Sequence, residues 1–236
     1  QEVNTLPFHK PDWDDYRRLL AEAVPALVNG AALAEVKFVV HTSFASLYGD
    51  THGEWADEQA EIVTDSPLFA AAVQAEEAVL HGGAPGCVLR AGFNYGPDSQ
   101  STIALRHALI SRGTVNVGQG AASWIHSSDL VQAILQAVVQ QPAGEIFNIA
   151  DDQPTSAAEF VDAFADRLGV RHPSKTNLPD SLRQVLVPAD ERALLDASVK
   201  VSTAKAKAQL GLSLQYATIQ AGIDQTLLAW RATEAV

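Results

Sequence analysis

Three short runs rich in apolar residues, Val36 to Val40, Gly86 to Arg90 and Glu145 to Ile149, alternate with longer helical patterns along the chain. Each run lacks the alternation of a half-solvated strand and so demands cover on both faces, which a parallel sheet between two helix layers supplies. The intervening segments suit that role. Asp12 to Ala34 carries Trp13, Tyr16, Leu19, Leu20, Ala23 and Leu27 on one stripe, and Pro25 is expected to kink or divide the helix. Ser66-Pro67 opens a helical run to Leu80 that His81-Gly82-Gly83 stops. Thr102 to Arg112 reads as helix and Thr114 to Val117 as extended. Ser127 to Gln140 reads as a helix with Leu130, Val131, Ile134, Leu135, Val138 and Val139 forming one apolar face. Ser156 to Glu159 has the form of a capping box, with Phe160, Val161, Phe164 and Leu168 inward and Gly169 as terminator. Between these, residues 50–65 read as a polar acidic loop, and Val201 to Leu210 and Thr218 to Trp230 as late helices. The fold class expected is α/β, a doubly wound parallel sheet with helices on both faces.

Composition narrows the partners. Among 236 residues, 28 are acidic and 16 basic, a formal charge of −12 that repels nucleic-acid phosphates and anionic membrane surfaces. The single cysteine, Cys87, sits in the apolar run Cys87-Val88-Leu89, so no internal disulfide can form and a reducing, cytoplasmic location is expected. No apolar stretch has the length of a membrane span, and the opening QEVNTLPFHK has no signal pattern. The chain begins at Gln1 and contains no Met, which leads us to expect a segment in front of it.

Several phrases in one order carry a resemblance. His41-Thr42-Ser43-Phe44-Ala45-Ser46-Leu47-Tyr48-Gly49 resembles an SSxxxYG signature, and Leu89 to Pro97 (LRAGFNYGP) resembles LRxxNxYGP. Trp124 to Leu130 (WIHSSDL) is similar to xxHVxDL, Phe147-Asn148-Ile149 to the xxNI strand that follows it, and Ser202 to Gly211 to a late SxxKAxxxLG phrase. Together they resemble the extended short-chain dehydrogenase/reductase family, the NAD-dependent epimerases and dehydratases. The resemblance implies a Rossmann-like sheet and helices over residues 1–97 and 127–151, with a small substrate-binding lobe over 98–126 and 152–236. The family's first βαβ unit, whose Gly-rich turn and helix N-terminus hold the dinucleotide pyrophosphate, is not seen in this sequence. Gly118-Gln119-Gly120 reads as a turn in the substrate lobe instead. NAD or NADP is therefore expected as cofactor only if such a unit exists, with Thr42, Ser43, Phe93 and Asn94 placed by the resemblance beside it. A small-molecule ligand would be met by Asn94, Tyr95 and Trp124.

The family's proton-transfer chemistry uses a Tyr, a Lys four residues on that lowers the phenol pKa, and a Ser or Thr. Alignment on Tyr48-Gly49 puts the Ser/Thr role at Phe44, the Tyr role at Phe69 and the Lys role at Val73, with Glu77 at an acidic position four beyond. Phe and Val neither exchange protons nor carry charge. No Tyr lies between Tyr48 and Tyr95 and no Lys between Lys37 and Lys175, so shifting the register restores nothing. The Arg that nucleotide-sugar members commonly place before xxHVxDL is absent from Ala121-Ala122-Ser123, although a basic residue could reach in from the C-terminal lobe.

The remaining polar residues admit two roles each. Tyr48 is the hydroxyl nearest the vacated site. His126 and Asp129 could form an acid/base pair, or Ser127 and Asp129 could cap and charge the helix entrance. Asn94 and Tyr95 could contact ligand or hold their loop. His52, Glu54, Asp57 and Glu58 match no compact zinc spacing, so no metal is expected and a solvated loop is the reading. Two functions stay open: an atypical family member that binds a small molecule without Tyr/Lys chemistry, active or not, or a dimerising module using the Ala-rich helices over residues 12–34 and 66–80.

Overall fold

A computed structural model describes residues 12–117, 120–176 and 184–234. The opening segment and Gly118-Gln119 of the G-x-G turn lie outside the described residues. Asp12 caps the first helix, its Oδ1 accepting from Asp14 N (3.0 Å) and Asp15 N (3.1 Å). The helix runs as α1 (Trp13–Arg18), a π-helical turn (Leu19–Ala23) and α2 (Val24–Leu33). Pro25 neither divides nor stops it. The turn before the proline widens, with Val24 N bonding Leu19 O, which accommodates the ring and its missing donor.

Parallel strands β1 (Val39–Phe44), β3 (Gly86–Ala91) and β8 (Ile146–Ile149) form the main sheet in the order β1-β3-β8. β1 starts later than the apolar run suggests because Val36 N is taken by Ala31 O as the preceding helix closes. A 3₁₀ turn, Ala45–Tyr48, follows β1. The segment expected as an acidic loop instead contains β2 (Asp50–Ala56), paired in parallel with β11 (Ser198–Val201). Val199 and Val201 point inward with period two, so Val201 ends a strand rather than opening a helix. The expected loop after β3 also contains a strand, β4 (Phe93–Tyr95), which pairs in parallel with β7 (Trp124–His126). Gly92 permits this, since a Cβ there would stand 2.6 Å from Ser123 O.

α3 (Pro67–His81) lies over one face of the sheet and α5 (Ser127–Gln140) over the other. The side of α3 away from the sheet packs on α1 and its π-helical extension, so Ala71 and Ala75, expected to face a second subunit, are buried within this chain. α5 buries Ala133 and Ala137, and leaves Val131, Leu135, Val138 and Val139 exposed, against expectation. Small residues let the helix approach the sheet closely, and the bulky ones fall on the opposite arc. α4 (Gln100–Ile110), α6 (Ala157–Leu168), α7 (Ala189–Asp196) and α8 (Ile219–Glu234) complete the labelled helices. The capping box of α6 forms as predicted, and Gly169 closes the helix in the left-handed region at φ 69°. Among the described helices none is long and apolar enough to cross a membrane.

One buried ion pair joins the layers. Glu76 of α3 receives Arg90 of β3 through Nε (3.1 Å to Oε1) and Nη2 (2.7 Å to Oε2), and both side chains are buried. Removing one partner strands a buried charge. We expect Glu76→Ala to lose about 3–5 kcal/mol in urea denaturation, whereas Glu77→Ala, one residue on and exposed, should stay within about 0.5 kcal/mol.

Candidate functional site

The parallel strands point their C-terminal ends at one edge, the place where open α/β sheets receive ligands. Thr42 and Ser43 of β1 and Phe93 and Asn94 beyond β3 stand there. Thr42 is half-buried; Ser43 is buried and its Oγ has no hydrogen-bond partner among the described residues. Asn94 is half-buried and tied down, with the Ser127 hydroxyl 3.0 Å from both Asn94 Oδ1 and the Tyr95 carbonyl. Tyr95 and Trp124 are buried beneath this edge. Trp124 stacks on Phe160 at 3.9 Å between centroids and donates its indole N–H to Thr155 O (2.7 Å). The Tyr95 hydroxyl faces Gly222, where a Cβ would lie 2.1 Å away, and burial raises its pKa.

Tyr48 is not poised for acid/base work. Its hydroxyl donates to Asn148 Oδ1 (2.8 Å) and accepts from Arg90 Nη1 (3.0 Å), which extends the Glu76–Arg90 pair to β8. Burial raises the Tyr48 pKa, outweighing the Arg90 charge that pulls it down. Burial alone would lower the Arg90 pKa, but hydrogen bonds and charge from Glu76 raise it, so the guanidinium stays charged. His41 lies near Glu76, yet burial lowers its pKa and favours the neutral ring.

His126 is the N-cap of α5: its Nδ1 accepts from Ser128 N (3.2 Å), a role expected for Ser127. Burial lowers its pKa. Asp129 grips the chain far away, accepting from Gln215 N (2.8 Å) and Tyr216 N (2.9 Å). The acidic segment after Tyr48 holds no cluster of three metal-ligating groups among the described residues. Glu58 is half-buried there and accepts from Asn148 N (2.8 Å). Asp151, just beyond β8, was not singled out by sequence. It is 2% exposed, its Oδ2 has no partner, and burial pushes its pKa up to about 8, with Asp152 and Asp129 adding to the shift.

A cleft of about 230 Å³ opens beyond Tyr48 between Gly49, Asp65, Ser66 and Phe69 on one side and Arg192 and Asp196 of α7 on the other. A basic side chain from the C-terminal part thus does reach a cleft beside the helix that begins at Pro67.

The family model described as NAD dependent epimerase/dehydratase family matches residues 16–150. The chain belongs to the NAD-dependent epimerase/dehydratase family. A 3-diazoavenalumate denitrifying reductase from a Streptomyces species is 31% identical over 175 residues, 70% of this chain and 57% of that protein. A dTDP-glucose 4,6-dehydratase from Neisseria gonorrhoeae is 25% identical over 199 residues, 79% of this chain and 57% of that one. The chain spans 57% of the length of these curated relatives. The dTDP-glucose 4,6-dehydratase of Streptomyces venezuelae, solved with NAD and TYD bound, superposes with TM-score 0.76 at 21% identity, covering 93% of this chain and 67% of that structure. That likeness shows the fold, an α/β Rossmann-like arrangement with a parallel sheet.

Against the family pattern, Phe44 and Phe69 are buried in the main apolar cluster and Val73 packs on it half-buried. Phe69 also lines the cleft beyond Tyr48. The acidic residue of α3 that turns to the sheet is Glu76, while Glu77 is exposed. Counting back by fours from Glu76 along that face gives Ala72 and Leu68, both fully buried. In either phase the helix presents only apolar groups.

The site yields two expectations. Tyr48→Phe should cost about 1–3 kcal/mol by leaving Asn148 and Arg90 short of a partner, read by denaturant unfolding. Asp151 is protonated in the fold where an unfolded Asp, at 3.8, is ionised, so stability falls as pH rises from 3.8 and levels off above about 8. Asp151→Asn should flatten that slope in calorimetric melting across the same window.

Proposed function

We propose that the chain forms the substrate side of a nicotinamide-dependent reductase that delivers hydride to an electron-poor carbon without a Tyr/Lys proton relay, with aromatic diazonium compounds as the substrate class. The observation that carries this reading is the closed apolar face made by Phe44, Leu68, Phe69 and Ala72, where the family's acid/base groups would stand. Ketone reduction needs a proton for the forming alkoxide, and sugar epimerisation or dehydration needs a base; a buried apolar face serves neither. Diazonium reduction needs no such group. A C–H bond forms at the ring carbon, the C–N bond breaks, and its electron pair leaves with dinitrogen, so arenediazonium plus hydride gives arene plus N₂. The reductase at 31% identity has a name that implies the same class of reaction.

A nicotinamide, when bound, would supply the hydride. Thr42, Ser43, Phe93 and Asn94 are the residues we assign to its side of the edge, and the orphaned Ser43 hydroxyl fits a polar group there. The described residues include no Gly-rich turn at a helix N-terminus after a strand, so none is assigned to a pyrophosphate. The apolar face would keep water from the electrophile. We assign residues 98–126 and 152–236 to a substrate lobe in which Arg192 meets a substrate carboxylate, while Asp50, Asp65 and Asp196 make the cleft favourable to a cationic ring substituent. Asn94 remains a substrate contact in this reading, with Tyr95 and Trp124 supporting it from below. A homodimer through the first helices would use the exposed Leu27 and Leu33.

The test mixes full-length protein, reduced NAD or NADP, and 4-carboxybenzenediazonium. We expect benzoate, dinitrogen and oxidised nicotinamide in equal amounts, above the rate with heat-denatured protein. Arg192→Ala should raise KM about tenfold with kcat little changed. Turnover of a ketone or sugar nucleotide, with the diazonium left untouched, would refute the reading.

A further inference from the structure

A second cleft, of about 330 Å³, lies at the other end of the β2–β11 ribbon. The ribbon pairs Asp50 with Ser198 at one end and Ala56 with Val201 at the other. The cleft beside Phe69 takes in Gly49, Asp50 and Ala197; the second takes in Trp55, Val201, Ser202 and Thr203. The two are therefore separate sites. Asp151, Asp152 and Lys207 also line the second.

Its chemistry is unusual for an idle surface. Trp55 is 56% exposed and leaves much of its indole to solvent at the rim. Asp151 lines the same cleft at 2% exposure. Its Oδ1 accepts from Gln153 N (3.2 Å), and its Oδ2 accepts from nothing. A buried carboxyl oxygen without a donor is destabilising, and a donor from a ligand removes that cost. Lys207 does not meet that need, because it pairs with Asp152.

We propose that this cleft binds a small organic cation, an ammonium-bearing aromatic, with the ammonium on Asp151 Oδ2 and the ring or charge over the Trp55 indole. Cations are drawn to an indole face, worth about 0.5–1 kcal/mol at an exposed site. The formal charge of −12 favours their approach. The groups that bear on Asp151 are Asp152 beside it, Asp129 of α5, Tyr95 of β4 and Lys207 in the cleft. Burial first, and then the Asp152 and Asp129 carboxyls, keep Asp151 protonated when free, so a cation that pairs with its carboxylate displaces that proton.

Calorimetric titration at neutral pH, in two buffers of different ionisation enthalpy, tests the site with three related phenols. Tyramine is the cation, 4-ethylphenol the neutral analogue and 3-(4-hydroxyphenyl)propionate the anion. We expect tyramine alone to bind, with release of nearly one proton, because the carboxyl held at about 8 ionises on binding. Asp151→Asn should abolish the proton release and weaken binding at least about tenfold. Trp55→Ala, at an exposed position where the fold tolerates change, should weaken binding about two- to fivefold. The proposal is overturned if tyramine does not bind, if 4-ethylphenol binds equally well, or if proton release persists in a folded Asp151→Asn protein.

Discussion

The Glu76–Arg90 pair is the constraint around which the rest of the molecule is arranged. Two buried charges in a low-dielectric interior demand near-complete hydrogen bonding, and here the demand is met by four elements at once. Glu76 comes from the helix over the sheet, Arg90 from the central strand, Tyr48 from the turn after the first strand and Asn148 from the third strand. Because Tyr48 must reach both Arg90 and Asn148, the 3₁₀ turn that carries it is held, and Gly49 after it turns the chain at φ 66° toward β2. The same network ties up the Tyr48 hydroxyl and keeps it from acid/base chemistry.

That withdrawal gives the reductase reading its physical content. In that reading the chain has the family's parallel sheet and a strand-end asparagine, Asn94, while the helix face at Phe69 and Val73 is apolar. Apolar residues there stabilise by burial what polar ones would have destabilised without a substrate to satisfy them. In the reductase reading, this edge orients the substrate and excludes water rather than moving protons.

Much of the fold was legible in local pattern. β3, β8, α3, α5 and the capping box of α6 declare themselves within a few residues, because a buried parallel strand or a capped helix is specified by its own sequence. The β2–β11 pairing was not legible: Asp50 to Ala56 is polar, contains Gly53 and is mostly exposed, and its partner is distant in the chain. Adjacent Glu76 and Glu77 could be told apart only by helix phase, which no spacing argument from Tyr48 determines. Asp129 is the first-turn acid the sequence offered, and it also holds the Gln215 and Tyr216 amides, a non-local pair of bonds that sequence position cannot announce. Asp151 left no signal, since an acid after a strand reads as surface until burial is known.

The two outer strands of the main sheet are treated differently. On the β8 side, Lys205 donates to Ile146 O at 2.7 Å and stands 4.9 Å from the Phe147 ring, so a charged side chain blocks that border. On the other side, β1 pairs only with β3 among the described residues, and α5 beneath it carries the bare arc of Val131, Leu135 and Val138. That border of β1 has no strand partner among the described residues and lies beside aliphatic side chains. Among the described residues, an added strand could pair with Val39 to Phe44 without disturbing a pair already made.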